Sequence, residues 1–231
     1  MTTTETTAKR VQKRLAGRSG RPRRELVGEV DERILDAARR VFLEHGLSGA
    51  SIDEIASRAR AGKPTIYARF PSKEALFAAV VMRNVSAVVG RFEGHIPPGA
   101  TIEERLTRLG ATLLHWALAG DTVDLMRVGI SEARRFPDLA NGVQGMARQC
   151  GEGTVGRLLS EVAQSDGLGT LPAFAPERLA VTTQCFMDLV FKPMILRALF
   201  GEKLETLRAE IETHVASRVA FFLAACRHDL D

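Results

Sequence analysis

Between Lys63 and Phe70 the sequence KPTIYARF sets out a compact group of side chains suited to gripping a polyanion. With Ile66 and Phe70, four apart, turned inward, the outward set is Lys63, Thr65, Tyr67, Ala68 and Arg69: two cations, a hydroxyl, a phenol and no acid. Hydroxyls and cations of this kind hydrogen-bond to and neutralise phosphodiester oxygens, and Lys63 and Arg69 have the reach for a phosphate or a base edge. The same residues also suit an ordinary surface helical hairpin, so the elements that carry them decide between the two readings.

Those elements are short and well punctuated. Ser51 and Glu54 form the S-x-x-E pattern of a capping box, which predicts a helix start. Ile52, Ile55, Ala56 and Ala59 then recur on one face, with Asp53, Glu54, Ser57 and Arg58 pointing out. Gly62 supplies a turn or a tolerable N-cap, and Pro64 falls in a first turn, where a missing amide matters little. A second helix therefore begins near Lys63. Upstream, Ile34, Leu35, Ala38, Val41 and Phe42 form a helical stripe opposite Asp31, Glu32, Arg39 and Arg40. Gly46 ends that helix, and His45 before it is placed to meet the last carbonyls. Downstream, Pro71 closes the short helix and Ser72 caps a long one, whose apolar residues Leu76, Phe77, Val80, Val81, Val88, Val89 and Phe92 carry it to about Glu93.

From Val30 to Val81 this pattern strongly resembles the TetR/AcrR transcriptional regulators. The resemblance rests on the first helix ending in Gly46, the Ser before the second helix, the T-I-Y core of the recognition helix and the run FPSKEALF. It implies a three-helix DNA-binding head with Ser51, Thr65, Tyr67 and Lys73 on phosphates, and a fourth helix that transmits motion from a second domain. The turn departs from the family pattern, with Arg60-Ala61 where Gly-Val is usual and Gly62-Lys63-Pro64-Thr65 where Ser-Lys-Gly-Thr is common. The segment ISEARRFPDLA, residues 130–140, resembles an AefR-like C-terminal domain.

The remaining sequence reads as all-α. GHIPPG, residues 94–99, breaks the helical pattern, and helices are predicted at about 101–119, 122–134, 137–166, 176–199 (kinked at Pro193) and 203–226. We divide the chain into a basic disordered arm, 1–28, a helix-turn-helix domain, 29–89, and a helical effector-binding and dimerisation domain, 90–231. The last helix carries Leu204, Leu207, Ile211, Val215, Val219, Phe222 and Cys226 at spacings of three and four. The resemblance implies that the two C-terminal helices of each subunit form a four-helix homodimer interface; intrachain core is the competing use. Trp116, Met126, Met146, Phe186 and Met187, with His115, Phe174 and Met194, are candidates to line a pocket for a small apolar effector, or are simply core.

Charge is uneven along the chain. Residues 1–28 hold eight Lys/Arg against two Glu, a net of +6, within a whole-chain net of +4. Such an arm either follows phosphates or a minor groove, or is a solvated tail. Cys150, Cys185 and Cys226 lack metal-ligand spacing and read as small buried hydrophobes. The five histidines are scattered and no HExxH, GxSxG or phosphate-cradling glycine loop occurs, so the expectation is a non-enzyme without metal or cofactor. With no uncharged apolar run of about 18 residues and a basic, Thr-rich start, a cytoplasmic protein without a membrane span is expected. The reading is a ligand-responsive repressor released from a palindromic DNA operator; an architectural or activating DNA-binding protein is the alternative.

Overall fold

The computed structural model describes residues 24–90, 99–165 and 171–227. Helix α1, Arg24–Gly49, buries Ile34, Leu35, Ala38, Val41 and Phe42, the predicted stripe. It begins at Arg24, so residues 24–28, assigned to the disordered arm, belong to a helix, and Gly28 does not break it. The rest of the arm lies outside the described residues. At Gly46 the backbone leaves helical geometry, with φ 67° and ψ 177°, a conformation that glycine adopts without strain. The predicted stop is therefore a kink, after which Leu47 and Ala50 turn into the core.

Helices α2, Ile52–Ala59, and α3, Lys63–Tyr67, follow with Ile55, Ala59 and Ile66 buried. Helix α4, Lys73–Val89, is capped by Ser72, whose Oγ accepts from the Ala75 amide at 3.1 Å. Leu76, Phe77 and Val80 meet α1, and Phe77 sits edge-on to Phe42 with ring centroids 5.3 Å apart. Arg83 adds ion pairs to Glu32 and Asp36, each at 2.9 Å. One hydrophobic cluster thus holds α1 to α4 together, and Leu125 of the following domain completes it.

The second cluster is built from α5, Ile102–Ala117, α6, Thr122–Glu132, α7, Pro137–Ser165, α8, Leu179–Phe186, α9, Lys192–Leu199, and α10, Leu204–Arg227. Thr101 caps α5 by accepting from the Glu104 amide at 3.2 Å. The predicted boundary GHIPPG lies, except for Gly99, outside the described residues, as does the end of the helix near Glu93. Where a single helix kinked at Pro193 was expected, α8 and α9 are joined by a π-turn, Met187–Phe191. Pro193 cannot donate to the Leu189 carbonyl, and the turn before it widens so that the Lys192 amide reaches back to Met187. The Val190 carbonyl, within this turn, accepts from His214 Nε2 at 3.0 Å.

Leu179–Leu199 is long and apolar enough to cross a membrane by length and composition. Here Phe186, Val190, Met194 and Ala198 are wholly buried against the rest of the domain. Phe222 of α10 stacks edge-on against Phe186 and Phe174 at 5.4 and 6.4 Å. Gly110 permits the closest approach: a Cβ there would lie 2.8 Å from a methyl of Val190 and 2.8 Å from one of Val215.

Candidate nucleic-acid interface

The Ser51 hydroxyl accepts from the Asp53 amide at 3.2 Å, so α2 has its N-cap. The reciprocal half of the expected capping box is absent, because Glu54 is drawn away to Arg58, 2.6 Å distant. Arg58 also donates to both oxygens of Glu44, at 2.7 and 2.5 Å, and holds that carboxyl below its usual range. His45 joins this group rather than the carbonyls it was expected to meet: its Nε2 lies 3.7 Å from Glu44 and 3.5 Å from Glu54. Glu44, His45 and Glu54 are close enough to share a cation, but Arg58 already neutralises the carboxylates.

At the other end of α2 the cap has Schellman geometry. The Ala61 amide bonds to the Ala56 carbonyl at 3.0 Å and the Arg60 amide to that of Ser57 at 3.2 Å. This cap forces a left-handed residue at Arg60, with φ 50° and ψ 45°. A non-glycine residue in that region costs roughly 1–2 kcal/mol relative to a right-handed conformation. Gly62 then serves as N-cap of α3, with Pro64 in the first turn and Ile66 anchored in the core.

The predicted contact residues fall into two groups. Ser51 and Tyr67 are exposed, Tyr67 by 48%, and Thr65 is half-buried. The cations are tethered, which sequence spacing does not reveal. Lys63 is exposed but pairs with Asp53 across the turn. Arg69, expected to point outward, is half-buried in an ion pair with Asp31 of α1, and its Nη1 donates to the Thr65 carbonyl at 3.3 Å. This arginine fixes α3 to α1 and is not a free reader of bases. Lys73 donates to the carbonyls of Ser48 and Ala50 at 3.1 and 3.0 Å, closing the α1–α2 loop directly before Ser51.

That loop is held from the other side as well. Glu132, at the end of α6, accepts from the Ser48 amide at 3.0 Å and from its hydroxyl at 2.7 Å, and Arg135 Nη1 lies 3.0 Å from the same hydroxyl. The Ser48 hydroxyl and amide hold the Glu132 carboxyl below its ordinary range. Further back, Arg39 pairs with Asp121, and Arg127 of α6 donates to the Ala198 carbonyl at the end of α9 at 2.6 Å. Polar contacts from α6 therefore reach both the end of α9 and the loop that leads to Ser51.

The candidate effector residues do not form one site. Phe186 is wholly buried, as are Met194 and, nearly so, Phe174; their rings and sulfur fill the core. Trp116, Met126 and Met187 are partly buried at the margin of the same cluster, whereas Met146 is exposed on α7. His115 is exposed, 3.2 Å from Glu212. Two open concavities of about 740 and 520 Å³ lie elsewhere, lined by Ser131, Glu132, Arg134 and Arg135, and by Asp36, Arg39, Arg40, Gly120 and Asp121. Of the cysteines, Cys226 is buried and its thiol pushed up to about 11 by burial, but Cys185 is exposed, contrary to expectation, because it faces outward on α8. The side chain of Cys150 is outside the described residues.

Comparison with known proteins gives this arrangement its context. The N-terminal profile of bacterial regulatory proteins of the tetR family matches residues 34–80, and that of the AefR-like transcriptional repressor C-terminal domain matches residues 104–227, over half the chain. The chain belongs to the TetR family. It is 40% identical over 84 residues to the transcriptional activator FasR of Mycolicibacterium smegmatis, covering 36% of this chain and 38% of that protein. It is 47% identical over 53 residues to an HTH-type transcriptional repressor of Streptomyces coelicolor, covering 23% and 28%. The alignments thus span well under half of these relatives' lengths. Among solved structures, a TetR-family regulator of Mesorhizobium loti superposes with a TM-score of 0.74 at 24% identity, over 88% of this chain and 98% of that one. The flavonoid-responsive regulator FrrA gives 0.64 at 28% identity, over 86% and 97%.

Proposed function

We propose that this TetR-family protein is a homodimeric, ligand-responsive repressor that leaves a palindromic operator when a small apolar molecule binds its C-terminal domain. The observation that carries the reading is the grip of α6 on the α1–α2 loop: Glu132 holds Ser48, Lys73 holds the same loop, and Ser51 follows at once. A shift of α6 relative to α1 would change the aim of Ser51, Lys73 and α3 together. Ser51, Thr65 and Tyr67 are the proposed phosphate contacts, Lys63 takes a phosphate or base once it leaves Asp53, and Lys73 adds its remaining N–H.

Dimerisation is supported by the apolar side chains that a single chain leaves in solvent. Val181 and Cys185 on α8, Leu196 on α9, Phe200 just after it, and Phe221 on α10 are all exposed, Phe200 by 87%. Two such surfaces related by a two-fold axis would bury one another and set two α3 helices on one face of a duplex. Trp116, Met126 and Met187 are the proposed effector contacts, since they border the core without being sealed into it. An activator is the second reading, favoured by the name of the FasR relative.

The test is a mobility shift with DNA from upstream of the protein's own gene, with excess competitor, followed by a panel of apolar ligands. Specific binding released by a ligand is the expected result. Equal binding to operator and competitor, unaffected by any ligand, would contradict it. Tyr67→Phe should weaken the shift while leaving the fold intact.

A further inference from the structure

Around the helix-turn-helix nearly every cation is engaged. Lys63 pairs with Asp53, Arg69 with Asp31, and Arg58 with Glu44 and Glu54. Lys73 gives two of its N–H donors to carbonyls, and Arg33 donates to the Ala59 carbonyl at 3.4 Å. Arg60 differs. Its side chain is exposed, and among the described residues its guanidinium makes no ion pair or hydrogen bond. The first turn of α3 carries no acid, and the nearby Asp53 is taken by Lys63.

The backbone sharpens the point. Arg60 is the one non-glycine residue with positive φ among the described residues, and it occupies the cap position that glycine fills without strain. A strained residue whose side chain makes no polar contact within its own domain is a pointer to use elsewhere. Its place, two residues before the N-cap of α3, puts a long, unneutralised cation on the turn that delivers the recognition helix. We infer that Arg60 is a DNA contact: its guanidinium takes a phosphodiester oxygen of the backbone bordering the half-site. This rests on the regulator reading above. Arginine suits the task because its planar donors meet two phosphate oxygens at once and its charge is never lost. Lys63 must leave Asp53 and Lys73 shares its donors with two carbonyls, whereas Arg60 brings to the phosphate an unneutralised charge and a guanidinium with no protein partner.

The strain and the charge make opposite predictions, which separates a DNA contact from a structural role. The full chain is titrated with a fluorescent random-sequence duplex over a salt series, and its folding stability is followed in urea, for wild type, Arg60→Gly, Arg60→Ala and Arg60→Lys. Arg60→Gly should be at least as stable as wild type, yet bind roughly three- to tenfold more weakly at about 0.1 M salt, with a salt slope shallower by about 0.9 for each phosphate that is no longer neutralised. Arg60→Ala should show the same shallower slope without the gain in stability, and Arg60→Lys should keep the wild-type slope. Wild-type slopes in the glycine and alanine variants would overturn the assignment while leaving the regulator reading intact. Failure of the wild-type protein to bind any duplex at low salt would overturn both.

Discussion

Removing the Glu132 carboxylate should loosen the join between the two hydrophobic clusters by an amount that can be worked out in advance. The carboxylate accepts two hydrogen bonds from Ser48, one from the amide at 3.0 Å and one from the hydroxyl at 2.7 Å. Hydrogen bonds to a charged group contribute about 1.5–3 kcal/mol when shielded. Ser48 is exposed, so solvent competition reduces each to about 0.5–1 kcal/mol. Glu132→Ala should therefore cost about 1–2 kcal/mol and Ser48→Ala about 0.5–1 kcal/mol. Because both variants delete the same hydroxyl–carboxylate bond, the double variant should fall short of their sum by about 0.5–1 kcal/mol. Urea unfolding at fixed protomer concentration reads all four corners of the cycle. The sign with pH is also set. The folded-state pKa of Glu132 is depressed, so the coupling is complete above the ordinary glutamate value and fades as pH falls through the folded one. Strict additivity at pH 7, within about 0.3 kcal/mol, would refute this Ser48–Glu132 coupling and with it the proposed route from α6 to the loop before Ser51.

Three further outcomes follow from the packing. Gly110→Ala adds a methyl 2.8 Å from Val190 and Val215, both β-branched and stiff, so overpacking of about 1–3 kcal/mol should outweigh a helix-propensity gain near 1 kcal/mol and lower Tm by a few degrees. Phe221→Asp combined with Phe200→Asp should convert the protein to a monomer in sedimentation equilibrium with its helical content retained; a dimer that survives would place the interface elsewhere. Burial lowers the pKa of His214, which faces Arg218, Arg197 and Glu210 and holds the Val190 carbonyl. The folded state therefore takes up a proton later than the unfolded one. Stability should fall as pH drops below about 6.5, and His214→Gln should flatten that dependence in urea midpoints measured at pH 7.5 and 5.5.

The helix-turn-helix was legible because its signals are local. Ser51, Gly62, Pro64 and Ser72 act within one turn of themselves, and Ile55, Ala59 and Ile66 show their burial through spacing alone. The tethering of its cations was not legible, since it depends on partners that folding brings together. Asp31 is 38 positions from Arg69 in sequence, and the carbonyls that hold Lys73 belong to a loop more than twenty residues earlier. A charged residue read as outward therefore proved to be a strut. The left-handed cap had a signal in the replacement of the usual glycine by Arg60, but only the cap's hydrogen bonds give the backbone angle that makes it informative. In the C-terminal domain, spacing identified the buried stripe of α10, because one helix face suffices for that. It could not divide Phe186, sealed against Phe222, from Met146, left in solvent on another helix.

The central claim is that two copies of this chain place two α3 helices on one face of a duplex. The most direct measurement is a hydroxyl-radical footprint of the purified protein on a duplex selected from a random pool, with the stoichiometry of the same complex taken by native mass spectrometry. The account predicts a two-fold symmetric sequence, two protected patches about one helical turn or more apart on one side of the DNA, and an even number of protomers per duplex. A single protected patch held by one protomer, or uniform protection without a selected sequence, would contradict it.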